Sequence, residues 1–133
     1  MAQALLGSRL RQRGLGTVVE SAGISALAGR PADDVAIELM RARGLDLRSH
    51  RARQLTPSLL RSFDVALVME ADQQKAIESI DPGARGRVQR LGRIGGFDVP
   101  DPFGRGRPAF EEALSLIERG VRDLEDTFWS EGK

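Results

Sequence analysis

Cysteine is absent from the sequence, and other residues with specialised chemistry are scarce. The 133 residues contain no Cys, no Tyr, one His and one Trp. The lack of cysteine excludes disulfides, thiolate metal sites and a cysteine nucleophile within these residues. Because a zinc site with a single histidine would need mostly carboxylate ligands, we expect no metal and no other cofactor.

Strong net charge and long apolar runs are also missing. The 20 Lys and Arg nearly balance the 19 Asp and Glu, so the net charge is +1. A protein with so weak a field is not expected to bind nucleic acid through charge alone. No apolar run approaches the ~18 residues of a membrane span, and residues 1–14 are too short and mixed for a signal peptide. We therefore expect no membrane insertion and a cytoplasmic location.

The length and the pattern of apolar residues predict one α/β domain over residues 1–133. Alternation of helices and strands favours a parallel sheet with helices on both faces, which makes a three-layer sandwich. Helices are predicted over 2–13, from Asp33 or Asp34 to Gly44, from Pro57, over 72–80, and from Pro108 to Phe128. Strands are predicted over 17–22, 63–69 and 88–91.

A loop just before the last predicted helix carries a carboxylate on a stiff backbone. Pro100 and Pro102 restrict the chain on either side of Asp101. A general acid requires such fixed placement. A Pro-Asp-Pro turn with a solvated aspartate fits the same residues.

Two further segments are candidates for a site. Residues 49–55, SHRARQL, fit either a patch for phosphate or RNA or a connector whose Arg and His side chains pair with carboxylates. We favour the connector, because the segment lacks the interleaved aromatic residues and glycines of an RNA-binding surface. His50 as a catalytic base has no Ser or Cys partner evident in the sequence. Ser21-Ala22-Gly23 ends a predicted strand, where ligands bind parallel sheets, but a tight turn explains these residues equally well.

Taken in order, these segments resemble the low-molecular-weight protein tyrosine phosphatases. The resemblance rests on ESAGISALAGRPADDVAIELMRARGLDLRSHRARQLT, FDVALVME and DVPDPFG, with amphipathic helices at both ends, and it covers essentially the whole chain. It looks closest to the bacterial branch that acts on tyrosine kinases of exopolysaccharide export. The resemblance implies a Rossmann-like parallel sheet of the phosphotyrosine phosphatase I type. It also implies hydrolysis of phosphotyrosine in a protein substrate, such as a bacterial tyrosine kinase, through a cysteinyl-phosphate intermediate.

The same resemblance implies roles for individual residues. Asp101 corresponds to the general acid that protonates the leaving phenol oxygen and then, as a base, assists water. Phe103 and Leu27 would line opposite sides of the substrate slot. Ser21 and His50 would support the residues that contact the substrate.

The family's nucleophile belongs to a Cys-x5-Arg-Ser loop, which the given sequence does not contain. In relatives, that loop precedes a segment like residues 1–6 here, so we expect the first central strand and the loop to be missing. The prediction is then that these residues do not hydrolyse phosphotyrosine. Because neighbouring strands lie ~4.8 Å apart, we also expect a gap of about 10 Å between the strands at 17–22 and 63–68, or their collapse together.

Four interpretations remain open at this stage. The first is an active phosphatase whose start was assigned too late, at an internal Met. The second is a non-catalytic remnant that acts as a binding module. The third, an arsenate reductase on the same scaffold, is disfavoured because it needs further cysteines. The fourth is a nucleic-acid-binding or structural protein.

Overall fold

The structure is a computed structural model that describes residues 1–24 and 28–128. Its helices and strands follow the predicted order closely, apart from the first strand. The described elements are α1 (Ala2–Gln12), α2 (Asp34–Arg41), α3 (Pro57–Arg61), β1 (Ala66–Val68), α4 (Ala71–Ile80), a 3-10 helix (Pro82–Ala84), β2 (Val88–Arg90) and α5 (Arg107–Phe128).

Side-chain caps set the beginnings of two helices, as the sequence predicts. The carboxylate of Asp33 accepts a hydrogen bond from the Val35 N–H at 2.8 Å, just before α2. The hydroxyl of Thr56 accepts one from the Leu59 N–H at 3.1 Å, and Pro57 opens α3. Both arrangements satisfy N–H groups that have no partner within the helix.

The two strands form a parallel pair that is covered on both faces. Ala66, Leu67 and Val68 lie opposite residues 88–90 in register. Leu67 and Met69 pack into a cluster built mainly by α1 and α5, whereas Val68 packs with residues of α3 and α4. The α/β sandwich with a parallel sheet is therefore confirmed, and the sheet lies between two helical layers.

The predicted strand over 17–22 is wrong. Among the described residues, 17–22 make no backbone-to-backbone hydrogen bond, and only a single parallel bridge follows, between Gly23 and Gln54. Strand assignment needs a neighbouring strand, and none of the described segments runs beside 17–22. Among the described residues, no backbone hydrogen bond joins this segment to β1.

The last helix supplies the central apolar surface of the molecule. Its buried residues follow the predicted spacing of four and three and divide between two clusters, one with α2 and one with α1 and the 91–99 segment. Phe128, which we expected at the end of this stripe, is exposed instead. The buried members are Phe110, Leu114, Ile117, Val121 and Leu124.

A buried carboxylate joins the first and last helices. Glu125 of α5 is only 2% exposed. Its two oxygens accept hydrogen bonds from Arg9 Nε at 2.7 Å and from Arg13 Nε at 2.8 Å. Burial by itself would raise the pKa of Glu125, but the hydrogen bonds from Arg9 and Arg13 outweigh it, and the pKa lies below its usual value. The carboxylate is therefore charged and holds α1 against α5.

We expect Gly120→Ala to lower the free energy of unfolding by about 1–3 kcal/mol, the usual cost of overpacking a core. A Cβ at Gly120 would lie 2.8 Å from Leu91 Cγ and 3.0 Å from the Leu91 carbonyl oxygen. Urea unfolding measures the change.

Gly7→Ala, within α1, is the matched control. A Cβ there would meet only the flexible end of Arg11 at 3.3 Å and Val19 Cβ at 4.0 Å. This variant should be neutral or more stable, by up to about 1 kcal/mol, because alanine favours a helix over glycine. Equal destabilisation in both variants would contradict the role given to the contact of Gly120 with Leu91.

Candidate active site

Asp101 lies on the exposed loop that precedes α5. Its Oδ1 accepts a hydrogen bond from the Phe103 N–H at 3.0 Å, so the carboxylate folds over its own turn. Pro100 and Pro102 flank it and line a small concavity together with residues of α5. The sequence pattern is thus realised as a short, stiff turn that presents a carboxylate to solvent.

Contacts on the N-terminal side anchor this loop to the sheet. Val99 is 2% exposed, and its N–H donates to the Met69 carbonyl at 2.8 Å. Asp98 pairs with Arg90, at the end of β2, at 2.8 Å, and also accepts from the Ala71 N–H at 3.4 Å. The loop is therefore anchored two and three residues before Asp101, by the backbone of Val99 and the side chain of Asp98.

The two carboxylates of the loop differ in their surroundings. The hydrogen bond from Arg90 holds the pKa of Asp98 below its usual value, and the Ala71 N–H adds to that effect. Asp101 takes part in none of the ion pairs found among the described residues. Asp98 is therefore held in an ion pair, whereas Asp101 is not.

The aromatic ring of Phe103, two residues after Asp101, is largely exposed to solvent. Phe103 is 67% exposed, although large apolar side chains are usually buried. The turn closes when the Arg105 N–H donates to the Pro102 carbonyl at 3.0 Å. Gly104 and Gly106 on either side of Arg105 have φ values of +73° and +85°, which glycine adopts without strain.

A second concavity lies at the N-terminal end of α1. It has a volume of about 270 Å³ and contains both residues that the sequence assigned to supporting roles, Ser21 and His50. The sequence analysis did not assign a role to Gln3 or Glu20, which also line it. Its lining residues are Gln3, Glu20, Ser21, His50, Arg51 and Arg53. We refer to this group as the α1 cleft.

Hydrogen bonds within the α1 cleft connect the first helix to the segment that follows it. The Ser21 hydroxyl donates to Gln3 Oε1 at 2.6 Å, and Gln3 Nε2 donates to the Val19 carbonyl at 3.1 Å. Arg53 pairs with Glu20 at 3.2 Å, as the connector interpretation predicts. A glutamine in the first turn of a helix gives no signal in sequence for such a role, so this network needed the structure.

Burial and nearby positive charges affect His50 in the α1 cleft. Burial lowers the pKa of His50, and the positive charges of the Met1 amine and Arg51 lower it further. His50 is therefore a neutral imidazole at pH 7. The first N–H groups of α1 and the positive end of its dipole lie at the same place, which is the usual setting for a bound phosphate or carboxylate.

The structure brings only some of the predicted site residues together. Ser21 and His50 share the α1 cleft, and Asp101 and Phe103 share the loop before α5. No hydrogen bond or ion pair of the described residues joins the two places. Leu27 lies outside the described residues.

Two kinds of feature are missing from the described residues. They contain no group of three or more His, Cys, Asp or Glu side chains arranged to hold a metal ion. None of the helices in that part of the chain is long and apolar enough to cross a membrane.

The fold of this chain is similar to that of solved tyrosine phosphatases. The structure of Wzb from Vibrio vulnificus in complex with benzylphosphonate matches with a TM-score of 0.87 and 34% identity. That match covers 96% of this chain and 88% of Wzb.

Sequence comparisons define the family. The family described as low molecular weight phosphotyrosine protein phosphatase matches residues 1–132. The probable low molecular weight protein-tyrosine-phosphatase EpsP of Ralstonia nicotianae is 50% identical over 121 residues, which are 91% of this chain and 81% of EpsP. Etp of Escherichia coli K12, another such phosphatase, is 32% identical over 120 residues, 89% of this chain and 81% of Etp. The chain belongs to the low-molecular-weight protein tyrosine phosphatase family, whose substrates are phosphotyrosine proteins.

Proposed function

We propose that this chain carries the acid–base part of a phosphotyrosine phosphatase site, with Asp101 as the general acid and base. The observation that carries the proposal is the contrast between the two loop carboxylates. Asp98 is held by Arg90 at 2.8 Å, whereas Asp101 is exposed on a turn fixed by two prolines and has no cationic partner among the described residues. Asp101 would protonate the phenol oxygen as it leaves and then take a proton from the attacking water.

Phe103 and the α1 cleft have complementary roles in this proposal. The exposed ring of Phe103 would pack beside the phenyl ring of the substrate, with Leu27 on the opposite side. The phosphate would be bound at the N-terminus of α1, where helix N–H groups favour an anion. Ser21, through Gln3, and His50 would hold the walls of that cleft in place. The benzylphosphonate bound to Vibrio vulnificus Wzb combines a phenyl ring with a phosphonate, which supports a substrate of this shape.

The substrate class follows from the family, and a narrower assignment is part of the proposal. Wzb, Etp and EpsP are relatives whose sequences match most of this chain. We propose that the substrate is the phosphotyrosine of a bacterial tyrosine kinase. We also propose that residues 1–133 belong to a single domain of the phosphatase family, which the family match over 1–132 supports.

The nucleophile is the part of the mechanism that these residues do not supply. Family chemistry begins with attack of a cysteine thiolate on phosphorus, while an arginine of the same loop binds the phosphate oxygens. The sequence contains no cysteine. We propose that the 133 residues by themselves do not hydrolyse phosphotyrosine, because the nucleophile and the transition-state clamp together provide most of the rate enhancement.

A comparison of two polypeptides tests this proposal. The first is the 133-residue chain. The second, called the extended chain here, is the same chain preceded by a β-branched strand and a Cys-x5-Arg-Ser-Pro loop of the family. With p-nitrophenyl phosphate and a phosphotyrosyl peptide as substrates, we expect hydrolysis by the extended chain and none above buffer by the shorter one. Replacement of the added cysteine by serine should abolish the activity and serves as the control.

Either of two results would contradict the proposal. Hydrolysis by the 133-residue chain would mean that another nucleophile is present within it. A folded extended chain that binds phosphate but does not hydrolyse either substrate would show that the described residues do not form the acid–base half of the site. Circular dichroism and thermal unfolding establish that both polypeptides are folded.

A further inference from the structure

The loop that carries Asp101 is attached to the last helix as well as to the sheet. Asp98 and Val99 tie it to the sheet, as described above. Phe97, the residue before them, contacts α5 instead. The guanidinium carbon of Arg119 lies 4.6 Å from the centroid of the Phe97 ring. This distance is within the ~6 Å range of a cation–π contact.

The ring of Phe97 is held by the chain that precedes it. The Phe97 N–H donates to the Gly92 carbonyl at 3.0 Å, and the Phe97 carbonyl accepts from Arg90 Nη1 at 3.3 Å. A Cβ at Gly92 would lie 2.7 Å from Phe97 Cδ1, and one at Gly95 would lie 2.7 Å from Phe97 Cε2. Both positions are glycine, so the ring packs directly against the backbone and has one place in the loop.

Arg119 contacts this ring in preference to the carboxylate nearest to it along the helix. Asp123 lies four residues further along α5, the usual spacing for an ion pair on a helix. None of the ion pairs of the described residues includes Arg119. A Cβ at Gly95 would lie 3.0 Å from Arg119 Nη2, so the guanidinium packs on the backbone of the loop as well as on the ring.

The turn at Asp101 contacts the same helix nearer to its beginning. Pro100 and Pro102 line a concavity together with Ala113 and other residues of α5. The chain from Phe97 to Asp101 is only four residues long, and the prolines restrict its backbone. Because both contacts are with one helix, a shift of the loop at the ring is passed on to the acidic turn.

We propose that Arg119 is a positioning residue for Asp101, acting through the ring of Phe97. The guanidinium holds the loop in the arrangement that presents the carboxylate, and it does not itself contact the substrate. This role rests on the proposed function of Asp101 as the general acid and base. A cation–π contact at an exposed site limits the expected effect to about two- to fivefold in rate.

Hydrogen exchange in the 133-residue chain tests the anchor without hydrolysis. The Val99 N–H, which donates to the Met69 carbonyl at 2.8 Å, lies between the ring and the acid. In Arg119→Gln, we expect exchange at this amide to become about two- to fivefold faster, because local opening of the loop costs less. The Leu91 amide, which donates to the Val68 carbonyl before the loop begins, is the control and should not change.

Activity of the extended chain tests whether the anchor serves catalysis. At a temperature where every variant is folded, kcat/KM for phenyl phosphate should fall about two- to fivefold in Arg119→Gln. Arg119→Lys keeps the positive charge over the ring and should recover part of the loss. Arg122→Gln, which changes an exposed arginine of the same helix, is the matched control and should have no effect. In a Phe97→Leu background, Arg119→Gln should cause no further loss, since the ring is gone.

Three results would overturn the proposal. Unchanged Val99 exchange in Arg119→Gln would show that the contact does not hold the loop. Faster exchange with unchanged kcat/KM would make the contact a structural one only. An equal loss from Arg119→Gln with and without the ring would mean that Arg119 acts by another route. If Phe97→Leu fails to fold, the Arg119→Lys variant and the Val99 exchange rate still decide the question.

Failure of the proposed function has a different signature. An inactive extended chain, or an Asp101→Asn variant with equal losses for phenyl phosphate and p-nitrophenyl phosphate, would remove the acid–base role of Asp101. The catalytic role of Arg119 would then be overturned with it. An active extended chain in which only the Arg119 variants behave like the parent would overturn the positioning role alone.

Discussion

Asp101→Asn in the extended chain should lower kcat/KM for phenyl phosphate, which reports formation of the phosphoenzyme, by about 10²–10⁴-fold, the usual contribution of a general acid or base. Phenol is a poor leaving group and requires the proton that Asp101 would supply. The loss should be much smaller for p-nitrophenyl phosphate, because p-nitrophenolate leaves without a proton. Steady-state assays with the two substrates measure the difference.

Asp98→Asn is the matched control, since it changes the other carboxylate of the same loop. Asp98 is paired with Arg90 and receives the Ala71 N–H, so its replacement should loosen the loop and reduce activity equally for both leaving groups. If Asp101→Asn reduced kcat/KM for both substrates by the same factor, Asp101 would be positioning the loop instead of protonating the leaving group.

Removal of both arginines around Glu125 should be the most destabilising change in the helical layer. In Arg9→Met/Arg13→Met, the carboxylate stays buried without the donors that hold it at 2.7 and 2.8 Å. We expect the free energy of unfolding to fall by about 2–4 kcal/mol. This is less than the largest losses seen when one partner of a buried ion pair is removed, because Arg9 is half exposed and water reaches this side of the pair. Urea unfolding at pH 7 gives the value.

The triple variant, with Glu125→Met added, separates the cost of an unpaired charge from the loss of an attraction. Replacing a whole buried ion network by apolar residues is often neutral, so most of the lost stability should return. A triple variant as unstable as the double variant would show that packing of the two arginine stems, and not the buried charge, is what matters.

Glu125 makes the stability of the unmodified chain depend on pH in a known direction. Its pKa in the folded protein is below the ordinary value of 4.5, so the unfolded chain takes up the proton first as the pH falls. The contribution of this carboxylate is therefore complete above pH 4.5 and is lost as the pH decreases through the folded pKa. In Glu125→Met, the free energy of unfolding should therefore decrease less as the pH falls below 4.5.

Local sequence rules were sufficient for the helices. Asp33, Thr56 and Pro57 marked helix starts that the structure confirms, because caps act within a few residues of the chain. The apolar spacing of α5 located its buried face for the same reason, since a helix repeats its side-chain directions every 3.6 residues. These features do not depend on which other segment packs nearby.

Local sequence rules failed for residues 17–22, where they predicted a strand. A run of β-branched residues such as Thr17, Val18 and Val19 favours extended backbone, but a strand also needs a neighbour that provides hydrogen bonds. Here the side chain of Gln3 binds the segment instead of a strand. That partner lies 16 residues away along the chain, and nothing in the pattern of either segment predicts the contact.

The sequence by itself determined the family, the helices and the identity of the acidic loop, because these depend on motifs and on contacts close along the chain. Only the tertiary structure distinguished Asp98, held by Arg90, from Asp101, which has no cation beside it among the described residues. It alone also placed Ser21 and His50 in one cleft. Such features arise from distances between residues far apart in sequence, which the fold sets and local propensity does not encode.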